Sequence, residues 1–477
     1  MSLKTTILGA GPGGYVAAVR AAQLGADVTI VENDNLGGTC LNWGCIPSKI
    51  LKSAADRLEA IRHAGLIGIK ADPHPELDMP ALTARQGNVI QAQRKGIAAL
   101  LKHHHVRHLR GRGMIREPGV LAVAGKEDGW TEVAHDRLIV ATGSRPMDIP
   151  AFACDGDRII SSNEALYLDE IPESIVIVGG GVIGCEFAAI LSAFGSTVTV
   201  VEALERLLPL PAVDADCSKV LAREMKKRKI ACHVNRTVEA VDNSGARLKV
   251  RLGASPFAEN LKEKEQKPLE IEAEKVLVCV GRRANTGDIG LENIGVATDK
   301  RGRILADDYM RTNVDGVYAI GDVLGPEKIM LAHVASTEGL VASENAAGGN
   351  RRMDYSAVPG AVFTAPEVGN VGLSEAQARE TGAPVRADMV LFRAIGKAQV
   401  IGEIAGQAKI VSDAGSGRIL GVHMIGPHAS DLIAEGTLAI KNGLTVAQLA
   451  DTIHAHPTLA EIMLETGFKA LDRGLHG

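Results

Sequence analysis

The sequence predicts an α/β protein with two parallel-sheet nucleotide folds and a C-terminal α+β region, and three observations carry that expectation. A strand, a glycine turn, a helix and a second strand open the chain within residues 5–32; the same unit returns at an offset of 170 residues; and beyond Asn350 the pattern changes to alternating strands followed by helices. The first unit reads Gly9-Ala-Gly11-Pro-Gly13-Gly14, a small-residue helix from Tyr15 to Leu24, and a strand from Val28 to Val31 that ends at Glu32. This is the dinucleotide fingerprint. Gly9 makes the turn, Gly11 lets a pyrophosphate approach the backbone, Gly14 lets the helix pack closely, and Glu32 takes the adenosine ribose hydroxyls. In the second unit Ile175 to Val178 precede Gly179, Gly181 and Gly184, and Phe194-Gly-Ser-Thr-Val-Thr-Val-Val-Glu202 repeats Leu24-Gly-Ala-Asp-Val-Thr-Ile-Val-Glu32. Both units are Rossmann-like, and two such folds imply two dinucleotides, without saying which sits where.

With 477 residues and 46% hydrophobic content the chain exceeds a single core, so two to four domains are expected. A net charge of -5 and a pI near 6.3 offer no electrostatic case for nucleic acid or an anionic membrane surface. Met1 leads directly into strand-like residues with no signal-peptide pattern, and no apolar run is long enough to span a bilayer. The expected location is the cytoplasm, where ordinary thiols stay reduced.

Between the two units lies Gly37-Gly-Thr-Cys40-Leu-Asn-Trp-Gly-Cys45-Ile-Pro-Ser-Lys49. The other five cysteines stand singly in the sequence, so the four ligands of a structural zinc site are not at hand. A purely structural disulfide is disfavoured too, since a chain this long gains little from so small a ring. The pair therefore reads as a redox-active disulfide. Five residues of regular helix rise about 7.5 Å, beyond disulfide reach, so the local helix must be distorted; Pro47 is the expected disruptor, and strained bridges are the reactive ones.

Behind the motif, Ile50, Leu51, Ala54, Leu58 and Ile61 recur at helical spacing and predict a core-facing helix. Residues 91–101 also read as helix, ending in Lys102-His103-His104-His105, a solvated basic helix end. Strands at 138–141 and 276–280 run into Gly143 and Gly281, where backbone approaches a cofactor. Residues 257–275, crowded with Glu and Lys, read as a solvent-facing hairpin or loop. Asp322 follows a short apolar strand, either to hold a ribityl hydroxyl or to cap the next helix. Near the C-terminus, His454-Ala-His456-Pro-Thr-Leu-Ala-Glu461 is either an oriented acid-base pair or a surface helix start.

These motifs, with Met330-Leu-Ala-His333 and Gly421-Val-His-Met-Ile-Gly-Pro-His428, resemble the class I flavoprotein disulfide reductases over essentially the whole chain, and most closely the branch that oxidises dihydrolipoamide. The resemblance implies FAD on the first fingerprint (Gly9, Gly11, Gly14, Glu32, with Lys49, Gly143, Asp322 and Ala332) and NAD on the second (Gly179, Gly181, Gly184, Glu202, with Gly281). Its implied domains are an FAD-binding segment at 1–147 that carries the cysteine pair, an NAD-binding domain at 148–276, a second FAD-region segment at 277–347 and a dimerisation domain at 348–477. Cys40 would exchange with substrate, Cys45 would be the charge-transfer thiolate against the flavin, and Lys49 and Glu186 would pair beside the flavin N5 and nicotinamide. His456, oriented by Glu461, would act as base from the partner subunit of a homodimer. The implied activity is oxidation of protein-bound dihydrolipoamide with NAD. The implied partners are a lipoyl domain or carrier and the acyltransferase core of a 2-oxoacid dehydrogenase complex, or the glycine cleavage system, with no nucleic acid and no membrane insertion. Cys185 and the charged stretch 255–268 depart from the family pattern. Related reductases with a C-terminal cysteine pair are excluded, because the last cysteine is Cys279, and Glu202 opposes an NADP-linked glutathione reductase. The remaining alternatives are an NAD(P)H-dependent reductase of another disulfide and a non-catalytic flavin-holding subunit.

Overall fold

The computed structural model describes residues 2–72, 74–125, 129–259 and 261–476. They form two compact units, Met1–Leu51 with Asp78–Met147 and Gly281–Asp354, and Lys52–Leu77 with Asp148–Val280 and Tyr355–Gly477.

The first unit is built on a five-stranded, all-parallel sheet in the order Val317–Ala319, Arg137–Val140, Lys4–Leu8, Asp27–Glu32, Arg107–Arg110. Its central strands are near-continuous runs of buried Ile, Leu and Val, as a sheet covered on both faces requires. The helices Pro12–Gln23 and Ala332–Ala346 meet backbone to backbone: a Cβ on Gly339 would lie 2.5 Å from the Gly13 carbonyl, and Ser343 Oγ donates to the Ala17 carbonyl at 2.9 Å. A three-stranded antiparallel sheet (Arg112–Glu117, Val120–Ala124, Trp130–Ala134) and the short pair Ser144–Pro146 with Arg282–Ala284 complete the strands of this unit.

The second unit holds another five-stranded parallel sheet, ordered Ala231–His233, Thr197–Val201, Ser174–Val178, Lys275–Val278, Ile159–Ser161. A meander of Arg236–Asp242, Leu248–Ala254 and Leu269–Ala273 lies beside it. The same unit contains the five-stranded antiparallel sheet Gly360–Val362, Glu367–Gly372, Ile419–Gly426, Gln407–Asp413, Val385–Leu391. Helices Ala429–Lys441, Val446–Asp451 and Glu461–Ala470 share one core with this sheet, through Val422, Met424, Ile433, Leu449, Ile462 and Met463. The α/β expectation with a C-terminal α+β region therefore holds. No helix among the described residues is long and apolar enough to cross a membrane.

Some local expectations need correction. The helix expected at 91–101 is Met79–His103: Asp78 caps it by accepting from Ala81 N at 2.9 Å, and Pro80 falls in the first turn, where its missing N–H costs nothing. The helix expected behind the motif is Cys45–Arg62, with Leu51 and Leu58 on its buried stripe beside Ser48, Lys52 and Ala55, whereas Ile61 is 42% exposed and does not join it. Of the hairpin or loop expected at residues 257–275 the hairpin is found, its second strand pairing antiparallel with Leu248–Ala254. The stretch contains a single helical turn, Glu263–Gln266, and the strand Leu269–Ala273, whose alternating Leu269, Ile271 and Ala273 are spaced by glutamates; Asn260 of the charged stretch lies outside the described residues.

Candidate active site

The cysteine pair lies where two helices meet. Gly38–Trp43 carries Cys40, Gly44 interrupts the backbone at φ −158° and ψ −108°, and Cys45 begins the helix Cys45–Arg62. The distortion that the spacing demands is thus present, but Gly44 supplies it. Pro47, the expected disruptor, sits in the first turn of the second helix, a position that tolerates proline. A Cβ at position 44 would lie 3.1 Å from the Thr39 carbonyl oxygen, within the turn that carries Cys40. A hydrogen bond to Cys45, reinforced by burial, pushes the Cys40 thiol well above the ordinary thiol range, while Lys49 pulls it down. Lys49 stands one turn beyond Cys45 on the same helix. Asn42, 1% exposed, fixes the first helix: its Nδ2 donates to the Gly38 carbonyl at 2.8 Å, and its Oδ1 accepts from Arg94 Nε at 2.6 Å.

The two fingerprints have the same geometry. Gly9 and Gly179 take φ of +106° and +108°, and a side chain on Gly14 or Gly184 would collide with the carbonyl of Gly9 or Gly179. Glu32 Oε2 accepts from Ala10 N at 2.7 Å and Oε1 from Asp34 N at 2.9 Å; Glu202 Oε2 accepts from Gly180 N at 2.6 Å and Oε1 from Leu204 N at 2.8 Å. Both carboxylates are buried. Burial raises the pKa of Glu32 and the backbone N–H groups act against that. Each carboxylate oxygen spends one lone pair on the backbone and keeps another for a ribose hydroxyl. Gly11 and Gly181 start helices with no side-chain cap, leaving the first-turn N–H groups for an anion. A Cβ on Gly181 would meet no heavy atom within 4 Å, so backbone and ligand can come together there.

Asp322 does not cap a helix. Its Oδ2 accepts from Ser144 Oγ at 2.5 Å, and Arg282 completes the cluster, donating through Nε to Ser144 Oγ at 2.7 Å and through Nη2 to the Ser144 carbonyl at 2.8 Å. The Arg282 side chain is 16% exposed. Burial lowers its pKa, and the nearby Asp322 and Cys45 act in the opposite direction. Glu338, 1% exposed, accepts from Gly321 N at 2.6 Å and so holds the turn that presents Asp322. Gly143 (φ +70°) precedes Ser144, and Ala332 opens the helix Ala332–Ala346. Gly281 takes φ +132° and its carbonyl accepts from Met147 N at 3.1 Å.

In the second unit Glu186 lies on the helix Val182–Phe194, 6% exposed, and its Oε1 accepts from Phe363 N at 3.0 Å. Cys185 beside it is fully buried, with its thiol donating to the Gly180 carbonyl at 3.2 Å, so it packs behind the fingerprint. The two histidines near the C-terminus differ sharply. His454 is 5% exposed and joined to Glu435 Oε1 through Nε2 at 2.8 Å; His456 is 76% exposed and joined to Glu461 Oε1 through Nδ1 at 2.8 Å. Glu461 Oε2 also accepts from Thr458 N at 2.9 Å, which fixes the carboxylate. Burial raises the Glu461 pKa, but the His456 and Thr458 hydrogen bonds outweigh it and the net shift is downward. A carboxylate on Nδ1 leaves Nε2 of His456 for chemistry.

Sequence reasoning missed Asn42, Arg94, Ser144, Arg282, Glu338 and Glu435. Apart from the short link from Asn42 to Gly38, their partners lie 17 or more residues away in the chain, so none of them carried a local signal.

Residues 3–339 match the family model described as pyridine nucleotide-disulphide oxidoreductase, and residues 358–466 match that family's dimerisation domain. The chain is 42% identical over 472 residues to the dihydrolipoyl dehydrogenase of Chlamydia muridarum, covering 98% of this chain and 97% of the relative. It is 40% identical over 474 residues to that of Geobacillus stearothermophilus, covering 99% and 97%. Among solved structures it resembles LpdA from Mycobacterium tuberculosis, with a TM-score of 0.88 and 28% identity over 98% of this chain and 99% of that one. The HOCl-induced flavoprotein disulfide reductase RclA from Escherichia coli gives a TM-score of 0.83 and 26% identity over 97% and 99%. With its paired fingerprints, its cysteine pair between two helices and full-length likeness to these proteins, the chain belongs to the pyridine nucleotide-disulphide oxidoreductase family, among the dihydrolipoyl dehydrogenases.

Proposed function

We propose that the protein oxidises the dihydrolipoyl group of a carrier protein, transferring its electrons to NAD: dihydrolipoamide and NAD⁺ become lipoamide, NADH and a proton. The observation that carries this reading is the coincidence, in a chain of this family, of Cys40 and Cys45 as a mutually hydrogen-bonded pair with two geometrically equivalent dinucleotide fingerprints.

The residues present fit the two cofactors. Gly9, Gly11, Gly14, Glu32, Lys49, Gly143, Asp322 and Ala332 would hold FAD; Gly143 has a left-handed backbone, and a Cβ there would meet no heavy atom within 4 Å, so a flat ring system can approach. Gly179, Gly181, Gly184, Glu202 and Gly281 would hold NAD. Bound FAD supplies two-electron transfer between the cysteine pair and NAD.

The chain's own residues account for the thiol chemistry. His456, acting from the partner subunit, takes a proton from one substrate thiol; a free thiol with pKa of about 8.5 is mostly protonated near neutrality, so a base is needed. The substrate thiolate bonds to Cys40 and breaks the Cys40–Cys45 bond, releasing Cys45 as thiolate. The second substrate sulfur then displaces Cys40, closing lipoamide. Because its surroundings favour the protonated form of Cys40, this sulfur leaves with the proton of the imidazolium formed in the first step, and the imidazole so freed takes the proton of the second substrate thiol as the ring closes, so that one substrate proton ends on Cys40 and the other on His456. Glu461 keeps the imidazole oriented throughout. Lys49 and Glu186 are assigned to the flavin–nicotinamide junction.

The same reading gives the domain assignments 1–147, 148–276, 277–347 and 348–477, a homodimer, a cytoplasmic location, and lipoyl domains with their acyltransferase core as partners. Steady-state reduction of NAD by dihydrolipoamide tests the activity. A flavin-containing protein with no turnover would be a non-catalytic subunit, and turnover that survives Cys40→Ser would remove the cysteine pair from the mechanism.

A further inference from the structure

Arg206 is the first basic residue in the sequence after Glu202, just beyond the strand Thr197–Val201, and a cation there is what a 2′-phosphate on the cofactor would seek. The structure gives it other work. Arg206 Nη1 donates to the Leu208 carbonyl at 2.9 Å and to Ser218 Oγ at 2.6 Å, and Nη2 to the carbonyls of Leu210 at 3.0 Å and Val213 at 3.1 Å. All four terminal N–H groups of the guanidinium are thereby used. Its partners span the loop after Glu202 and reach the helix Ala215–Lys227, where Ser218 is 2% exposed.

That loop bears directly on the second fingerprint. Leu208 N donates to the Gly180 carbonyl at 2.8 Å, Gly180 N donates to Glu202 Oε2, and Leu204 N donates to Glu202 Oε1. Leu208 makes its contact from a left-handed backbone, φ +47°, which disfavours a side-chain-bearing residue. At the equivalent place in the first fingerprint, Gly37 N donates to the Ala10 carbonyl at 2.8 Å from φ +96°, and there the residue is glycine. Leucine at this point needs outside support, and the bond from Arg206 to its carbonyl provides it.

We propose that Arg206 is a positioning residue for cofactor selection: it locks the 203–213 loop onto Gly180, which holds Glu202 in a pose that accepts ribose hydroxyls and rejects a 2′-phosphate. This rests on the assignment of NAD to the second fingerprint. It makes the opposite prediction from a phosphate-binding arginine. Removing a phosphate ligand impairs NADP use and widens the preference for NAD, whereas removing the clamp weakens NAD and narrows the preference.

The test uses the holoenzyme with Arg206→Met, and with Ser218→Ala as a milder variant that deletes one of the four bonds. Three quantities are read: kcat and KM with NAD and with NADP, dissociation constants for both by calorimetry, and hydrogen exchange of residues 203–213. The clamp predicts an NAD affinity weaker by about tenfold or more in Arg206→Met, kcat within about twofold as expected when only binding is lost, a raised NADP:NAD ratio of kcat/KM, faster exchange in the loop, and smaller changes of the same sign in Ser218→Ala. A loss confined to NADP, or an unchanged ratio with unchanged loop exchange, overturns it. A wild-type protein that prefers NADP would sink the NAD assignment instead, and loop exchange would still report whether the clamp exists.

Discussion

Lys409→Met should cost the folded protein more than most substitutions outside the chemistry, and the cost should shrink as the pH falls. Lys409 is 5% exposed on the strand Gln407–Asp413, with its Nζ 3.0 Å from Asp214 Oδ1, 2.5 Å from Asp216 Oδ2 and 2.9 Å from Glu375 Oε2. Burial raises the pKa of all three carboxyls, but their hydrogen bonds and the lysine charge win and hold each below its usual value. Removing one partner of a buried pair costs ~3–5 kcal/mol. Asp216 and Glu375 are about a third exposed and keep Lys219 and Arg379 as partners, so each is worth only ~0–1 kcal/mol. Asp214, 4% exposed, carries most of the effect, and ~3 kcal/mol is expected near pH 7. The sign with pH follows from the depressed carboxyls. Their stabilisation is present above the unfolded value near 4 and is lost as the pH falls through the folded values. The variant keeps the backbone hydrogen bond from Asp216 but loses the part of the depression that Lys409 supplies, so its deficit narrows in acid as Asp214 takes a proton. His423, buried beside Asp214, has a pKa lowered chiefly by burial and further by the Lys409 charge; it destabilises both proteins in acid, but less in the variant, so it narrows the deficit in the same direction. Urea midpoints of the holoenzyme between pH 7 and pH 3.5 provide the measurement. A deficit under ~1 kcal/mol at pH 7 would refute the ranking of buried over exposed pairs, and a deficit that does not change with pH would assign the loss to packing.

Three other outcomes are expected. Glu202→Ala should lower kcat/KM for NAD and compress an NAD preference of at least about 100-fold, since a 2′-phosphate set ~4 Å from the carboxylate costs ~1–4 kcal/mol before lost hydrogen bonds are counted; an unchanged ratio would move selectivity away from Glu202. His456→Gln should cost ~10²–10⁴ in dihydrolipoamide turnover while His454→Gln costs less, and mixing Cys40→Ser with His456→Gln subunits should restore one site per heterodimer; no recovery despite proven exchange would rule out shared sites. Asp322→Ala should leave a folded protein that loses FAD on gel filtration, measured as the flavin-to-protein ratio; full retention would separate Asp322 from cofactor binding.

The features readable in the sequence are those whose physics is local. A fingerprint is a contiguous turn and helix start, a capping carboxylate ends its strand, and Cys40 with Cys45 announces a broken helix because no regular helix brings that spacing together. The cause of the break is less legible: Pro47 looks the stronger disruptor, yet a first-turn proline is harmless and Gly44 makes the turn. The helix Met79–His103 is longer than the expected 91–101 because Asp78 caps it well upstream and Pro80 is harmless in its first turn. Ile61 belongs on the core face by its apolarity, but the buried stripe includes Lys52, which reaches Asp56 at 2.5 Å. Leu269–Ala273 is hidden by its charged residues because the strand has one outward face. Arg282, Ser144 and Glu338 have no local signature, since their roles exist only once distant segments have folded together.

The paired fingerprints also show why one chain can give the same motif two uses. Both carboxylates, both first glycines and both loop-to-fingerprint bonds (Gly37 to Ala10, Leu208 to Gly180) match in distance. The difference lies in the segment that makes the bond. In the first unit Gly37 leads into Gly38, whose Cβ position would be 2.6 Å from Gly11 Cα, and then directly into the helix of Cys40; the crossing segment runs into the redox helix itself, which Asn42 and Arg94 tie to the helix Met79–His103. On the proposed assignment of FAD to this fingerprint, that arrangement suits a cofactor that stays in place. In the second unit the crossing segment is a leucine-rich loop with no redox group, braced by Arg206 and ended by Asp214, which Lys409 fastens to the C-terminal sheet. A braced loop around an acidic residue shapes an adenosine site without attaching chemistry to it, which suits a dinucleotide that must enter and leave in each turnover. Replacing the loop's arginine should therefore disturb exchange and selection of that cofactor, while replacing Asn42 should disturb the cysteine pair.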